Sequence, residues 1–305
     1  MSNAGAPRHD PVPIGAVAKP PFARLPDPTN LFATRAERLR VLASAHQLGP
    51  YLTFLADLAE TQHRIQDGLP EPDVPPLEAR ERARQFDMPP IDRARFVTEP
   101  TLETTLDRLF DQAVTIDMPD TARGALDAVR RASPSTRDDM VRAVLANAIP
   151  MESLASHVFV AAATQVHFAR VAARLDAERL VPVGDALCPV CGGPPVSSVV
   201  VGWQNAANTR FCVCALCETW WHYVRIRCTV CGTTKGMGYK EIDGVASNVQ
   251  AETCEECRSY VKILHQHKEP SLEPVADDVA TLGLDLLVRE AGYRRGAFNP
   301  YLLGY

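Results

Sequence analysis

Eight of the nine cysteines fall into four Cys-x-x-Cys pairs: Cys188/Cys191, Cys214/Cys217, Cys228/Cys231 and Cys254/Cys257. Two residues between cysteines let one tight turn aim both sulfurs at a single ion, and two such turns complete a tetrahedron around zinc or iron. The pairs are themselves repeated. Twenty-two residues separate the first pair from the second, 192 to 213, and 22 separate the third from the fourth, 232 to 253. The second copy thus begins 40 residues after the first, which is an internal duplication. In each copy glycine follows the first pair (Gly192, Gly232), as suits a turn with positive φ, whereas Glu218 and Arg258 follow the second. The repeat joins 188/191 to 214/217 and 228/231 to 254/257, against a rival arrangement in which 214/217 meets 228/231 across ten residues. Disulfides are the competing use of these cysteines. The N-terminus, rich in proline and alanine, lacks the basic start and apolar run of a signal peptide, so the expected compartment is the cytoplasm, where paired cysteines serve metals more often. Cys212 stands outside the pattern and reads as a small buried hydrophobe.

The surrounding sequence divides into five stretches. Residues 1–27 hold six prolines and read as an irregular arm. Residues 28–180 read as a helical domain. Apolar residues spaced mostly by three and four (Leu31, Ala36, Leu39; Leu52, Leu55, Leu58) mark two helices parted by Gly49-Pro50, and further helices are expected at 77–86, 101–113, 118–132 and 134–147. Asp117 and Ser133 are the expected caps, with Pro119 and Pro134 in first turns. A long helix is expected from Met151 to Leu180. Glycine, proline and β-branched residues then rise. Runs at 196–201, 211–213 and 221–226 are β-prone, so residues 181–226 and 227–270 read as two ribbon modules of short strands. Residues 271–305 return to a helical pattern carried by Val275, Val279, Leu282, Leu286 and Leu287, with Asp277-Asp278 as a helix-start pair. The fold class is therefore α+β: an all-α domain, two tandem rubredoxin-like or zinc-ribbon modules, and a C-terminal helix.

No nucleophile motif, phosphate loop or paired-carboxylate signature is present, and a closed four-thiolate site has no open position for substrate, so the chain does not read as an enzyme. The net charge of −5 argues against a nucleic-acid partner, and no apolar stretch is long enough to span a bilayer. His222, His265 and His267 read as neighbours of the clusters rather than ligands, and Trp220, Trp221 and Tyr223 as core aromatics or, alternatively, a docking surface.

The strings LCPVCGGPPVSS (187–198), CALCETWWHYVRIRCTVCG (214–232), ETCEECRSYVKIL (252–264) and EPVADDVATLGLDLLVREAGYRRGAFNP (273–300) resemble the FdhE family of formate dehydrogenase accessory proteins. The resemblance implies a cytoplasmic maturation factor that binds the catalytic subunit of respiratory formate dehydrogenase and carries two iron ions in rubredoxin-like sites. The eight paired cysteines match the family's metal pairs, with zinc the other candidate ion. Glu218, Thr219, Trp221 and His222 match the stretch after the second pair and are candidate partner-binding residues. The rival functions are a zinc-ribbon nucleic-acid-binding protein, which would need a basic stripe, and a free-standing rubredoxin-type electron carrier.

Overall fold

The computed structural model describes residues 20–242 and 248–302. Most of the arm expected at 1–27 lies outside the described residues, but its end is ordered: Ala23–Arg24 forms strand β1.

The helical domain follows. Asp27 caps α1 (Pro28–Ala43) by accepting from Thr29 N at 3.1 Å, and Pro28 occupies the first turn. Helix α2 (Gly49–Ile65) folds back on α1 after a short turn; α3 (Leu77–Gln85) is mostly exposed, and α4 (Pro100–Ala113), α5 (Asp120–Arg131) and α6 (Pro134–Leu145) gather around α7 (Leu154–Ala172). Helix α7 is apolar on nearly every side because it runs through the middle of the bundle. Ser133 caps α6 as expected, accepting from Thr136 N at 3.2 Å. Two expectations are corrected. Asp117 does not cap α5; Pro119 holds that position, where its missing N–H costs nothing. The helix expected from Met151 to Leu180 is also shorter, because residues 151–153 form a 3-10 turn and Asp176 caps a second one by accepting from Glu178 N.

The cysteine region forms two three-stranded antiparallel meanders. The first comprises β2 (Pro195–Val200), β3 (Arg210–Cys214) and β4 (Trp220–His222); the second comprises β5 (Met237–Lys240), β6 (Val249–Cys254) and β7 (Ser259–Leu264). The expected third strand at 221–226 ends at His222, and Val224 and Ile226 are exposed beyond it. Although the sequence reads as tandem modules, the meanders are joined into one sheet: β2 pairs in parallel with β7, Ser198 opposite Ile263 and Val199 opposite Leu264. Strand β1 extends the sheet beyond β4, pairing Ala23 with Trp221 and Arg24 with Trp220. A buried ion pair crosses between the meanders, Arg210 Nη2 to Glu252 Oε2 at 2.5 Å, and Arg210 also donates to the carbonyls of Val224, Arg225 and Arg227.

The C-terminal pattern is two helices, α8 (Ala276–Ala280) and α9 (Leu282–Glu290), followed by β8 (Arg294–Arg295) beside β7. The break at Thr281 rotates the apolar face, so Leu284 and Val288 are buried whereas the expected Leu286 and Leu287 are exposed. Asp277 and Asp278 stand in the first turn of α8, as expected, but Asp278 is also buried. It lies in a dehydrated cluster with Asp285, Lys262 and Arg295: Lys262 Nζ is 2.5 Å from Asp285, and Arg295 reaches Asp278 at 2.6 Å and Asp285 at 2.5 Å. Tyr260 and Asn299 donate to the same carboxylates. With two cations, two anions and these donors, the cluster is balanced and fixes the C-terminal helices to β7.

Candidate metal centres

Each meander holds its two cysteine pairs on turns of one design. In the first turn of each copy, Gly192 N donates to Cys188 O at 2.8 Å and Gly232 N to Cys228 O at 3.1 Å, with φ of 73° and 72°. The second turns need the same left-handed backbone, and there Glu218 (φ 56°) and Arg258 (φ 52°) supply it without glycine. A side chain in that region costs on the order of 1–2 kcal/mol, so each must be held by its surroundings.

The turns bring the sulfurs together as the duplication implies. Cys188 lies 3.5 Å from Cys217 and Cys191 3.4 Å from Cys214; in the second copy, Cys228 lies 3.8 Å from Cys257 and Cys231 3.8 Å from Cys254. All four sulfurs of each group lie within 4.8 Å of one another. A tetrahedral ion with metal–sulfur bonds of about 2.3 Å sets its ligands about 3.8 Å apart, so both groups fit zinc or iron without rearrangement. None of these cysteines is in a disulfide. Backbone N–H groups are aimed at the sulfurs, from Leu216 and Cys217 to Cys214 and from Val230 to Cys228. Burial pushes the Cys188 and Cys217 thiols up, whereas hydrogen bonding from Cys188 and the other neighbouring thiols holds Cys191 down. Only a cation makes four thiolates compatible with so dry a site.

The sites differ in surroundings. All four ligands of the first are fully buried, because the helical domain closes over both turns. Ile91 N donates to Val190 O at 3.0 Å inside the first turn, and Gln165 of α7 donates to Ala215 O at 2.7 Å inside the second. Arg35 of α1 pairs with Glu218 and with Glu273, at 2.9 Å each. Two buried carboxylates thus share one buried guanidinium, and burial, reinforced by Glu273, pushes Glu218 up to about 8. In the second site Cys228 and Cys254 are buried, Cys257 is half-buried and Cys231 is exposed.

Models of the FdhE family match this chain along its length: the N-terminal region over residues 20–185, the central domain over 187–225 and the C-terminal domain over 226–302. The chain belongs to the FdhE family. It is 45% identical over 298 residues to the FdhE homolog of Rhizobium meliloti (strain 1021), with 97% of each chain covered. It is 34% identical to the homolog of Proteus mirabilis (strain HI4320), covering 92% of this chain and 91% of the relative. The crystal structure of the FdhE protein from Pseudomonas aeruginosa superposes with a TM-score of 0.83 at 31% identity, covering 93% of this chain and 99% of the other.

Within this FdhE fold Cys212 is fully buried on β3, and burial pushes its thiol up to about 12, which makes it unreactive. The candidate partner-binding residues are placed inward: Glu218, Thr219 and Trp221 are buried and His222 is half-buried. Thr219 Oγ1 lies 3.2 Å from Cys217 Sγ, so part of this stretch supports the metal turn. Sequence reasoning missed Arg35, Gln165 and Arg210. Arg35 had a legible signal, since it stands on the buried stripe of Phe32, Ala36 and Leu39, where a charge demands a buried counter-ion. Gln165 and Arg210 had none, because their partners are distant in sequence.

Proposed function

We propose that this protein is a cytoplasmic accessory factor for respiratory formate dehydrogenase, which binds the enzyme's catalytic subunit during maturation and carries iron in both four-cysteine sites. The observation that carries this reading is the pair of preformed four-sulfur sites in a chain of the FdhE family. Closed coordination by four thiolates leaves no position for substrate, which supports a non-enzymatic role. No helix among the described residues is long and apolar enough to cross a membrane, in keeping with a factor that meets its client before the client reaches one.

Iron would supply a one-electron ferric/ferrous couple, and zinc would supply structure alone. With iron at the second site, the exposed Cys231 would shorten the electron's path to a partner. Two measurements test the proposal. Anaerobic co-purification with the formate dehydrogenase catalytic subunit should retain the client, and absence of retention overturns the binding role. Protein purified anaerobically without added metal should contain about two irons and show charge-transfer bands that bleach with dithionite; two zincs and no colour would leave a structural adaptor.

A further inference from the structure

Strand β1 is held lightly to the sheet. It contributes two residues, paired with Trp220 and Trp221, and one further bond from His222 N to Phe22 O at 2.7 Å. Its one charged side chain, Arg24, is exposed and lies over the ring of Trp203, 4.9 Å from the centroid. Trp203 in turn packs against Trp220 at 5.5 Å, so two half-buried indoles form a wall. Behind it opens a cavity of about 400 Å3 to which Asp27, Glu218 and Glu273 contribute carboxylates. Glu218 is 1% exposed, yet its Oε1 has no hydrogen-bond partner, whereas Glu273 is met by Arg35 on one oxygen and by Val275 N and Ala276 N on the other. The place is therefore aromatic and offers one unpartnered acceptor oxygen, and a cationic side chain of the chain itself already sits at its mouth.

We infer that the β4 edge and the Trp203–Trp220 cavity form a binding site for an extended, arginine-bearing peptide segment, and that β1 is an internal occupant such a segment displaces. Main-chain pairing to β4 supplies affinity that is indifferent to sequence, and the cavity selects arginine through the indole faces and the unpartnered carboxylate oxygen. The site gives the Trp220–His222 stretch a partner role that needs no exposure in the resting chain, because the partner takes the edge β1 now covers. It rests on the accessory-factor reading only for the identity of the natural ligand, a segment of the client.

The test uses the metal-loaded full chain and a fluorescent peptide copying residues 20–27 of this protein, followed by anisotropy. The Arg24→Ala chain should bind the peptide at least about tenfold more tightly than the unaltered chain, because its internal competitor has lost its anchor. Replacing the peptide's own arginine with alanine should weaken binding at least about tenfold. Equal affinity of the two chains, or of the two peptides, overturns the inference. Arg24→Gln serves as a second variant, and unchanged metal content and thermal midpoint certify that either chain is folded. Because the probe contains no client sequence, failed capture of formate dehydrogenase does not touch this result, and failure of the peptide does not touch the client reading.

Discussion

The two four-cysteine sites share spacing, turn geometry and strand order, and yet one is sealed and the other lies open. The first is closed by the helical domain through Ile91, Gln165 and Arg35. The second is steadied from one side by the C-terminal helices and presents Cys231 to solvent. Ligand spacing thus determines how four thiolates meet at one point, whereas the covering domain determines how readily that point is reached. Duplication made two equal ribbons, and the fold around them made them unequal.

The largest effect that would sharpen this contrast is ligand removal. Cys214→Ala should cost upwards of about 4 kcal/mol, because it opens a dry site on which two domains meet, and most of the protein should be lost as insoluble material. Cys231→Ala should yield folded protein with one metal instead of two. Metal content and circular dichroism of the soluble fractions check both, and similar behaviour of the two variants would break the comparison. In the intact protein a chelator should remove metal in two phases, the second site emptying at least about tenfold faster.

Next in size is the clamp over the first site. Arg35→Met should destabilise by about 3–5 kcal/mol, since it strands Glu218 and Glu273 without a counter-ion. Denaturant unfolding measures it, and a loss below about 1 kcal/mol would mean that the clamp is incidental.

A smaller effect belongs to the second ribbon. His265, at the end of β7, is buried and donates its Nε2–H to Gln250 Oε1, 2.8 Å away; burial pushes it down to about 4. Its folded value lies below the unfolded value of about 6.5, so the unfolded chain takes up the proton first. Stability should be complete above about pH 6.5 and fall by on the order of 2 kcal/mol as the pH drops towards 4. In His265→Gln that slope should flatten, which stability measurements at pH 7 and pH 5 would show.

The smallest effect is Arg258→Gly, which relieves the left-handed backbone but gives up the stack of Arg258 on Tyr293 at 4.3 Å, and should change stability by less than about 0.5 kcal/mol. The same change at Glu218 removes one of the two carboxylates on Arg35, which stays paired with Glu273, and should cost more than Arg258→Gly and less than Arg35→Met. Equal responses at the two positions would show that φ, rather than the covering domain, governs these turns.

The metal sites were legible because a Cys-x-x-Cys turn is local and its repeat fixes the pairing. The helices were legible for the same reason, through caps such as Ser133 and apolar periodicity. What escaped depends on contacts between distant segments. The parallel joint of β2 with β7 leaves no mark in either strand, and β1 is two residues of an arm that the prolines made look irregular. The inward placement of Glu218 and Trp221 follows from α1 and β1 lying over them, which their own sequence does not encode. Leu286 and Leu287 misled because one break, at Thr281, turns the helix away from the face that a continuous period would give it.

The parallel joint between the ribbons has a consequence for the molecule's neighbours. It unites the first strand of one meander with the last strand of the other, and the outer edges, β5 and β4, are again a first strand and a last strand. Two copies could therefore repeat outside the chain the contact made inside it, and since that contact relates unlike edges, it would propagate into a filament rather than close into a pair. Strand β1 lies on one of the two edges that such growth requires. A segment of two paired residues thus works as a terminator, and keeps a sheet built by duplication from continuing to duplicate.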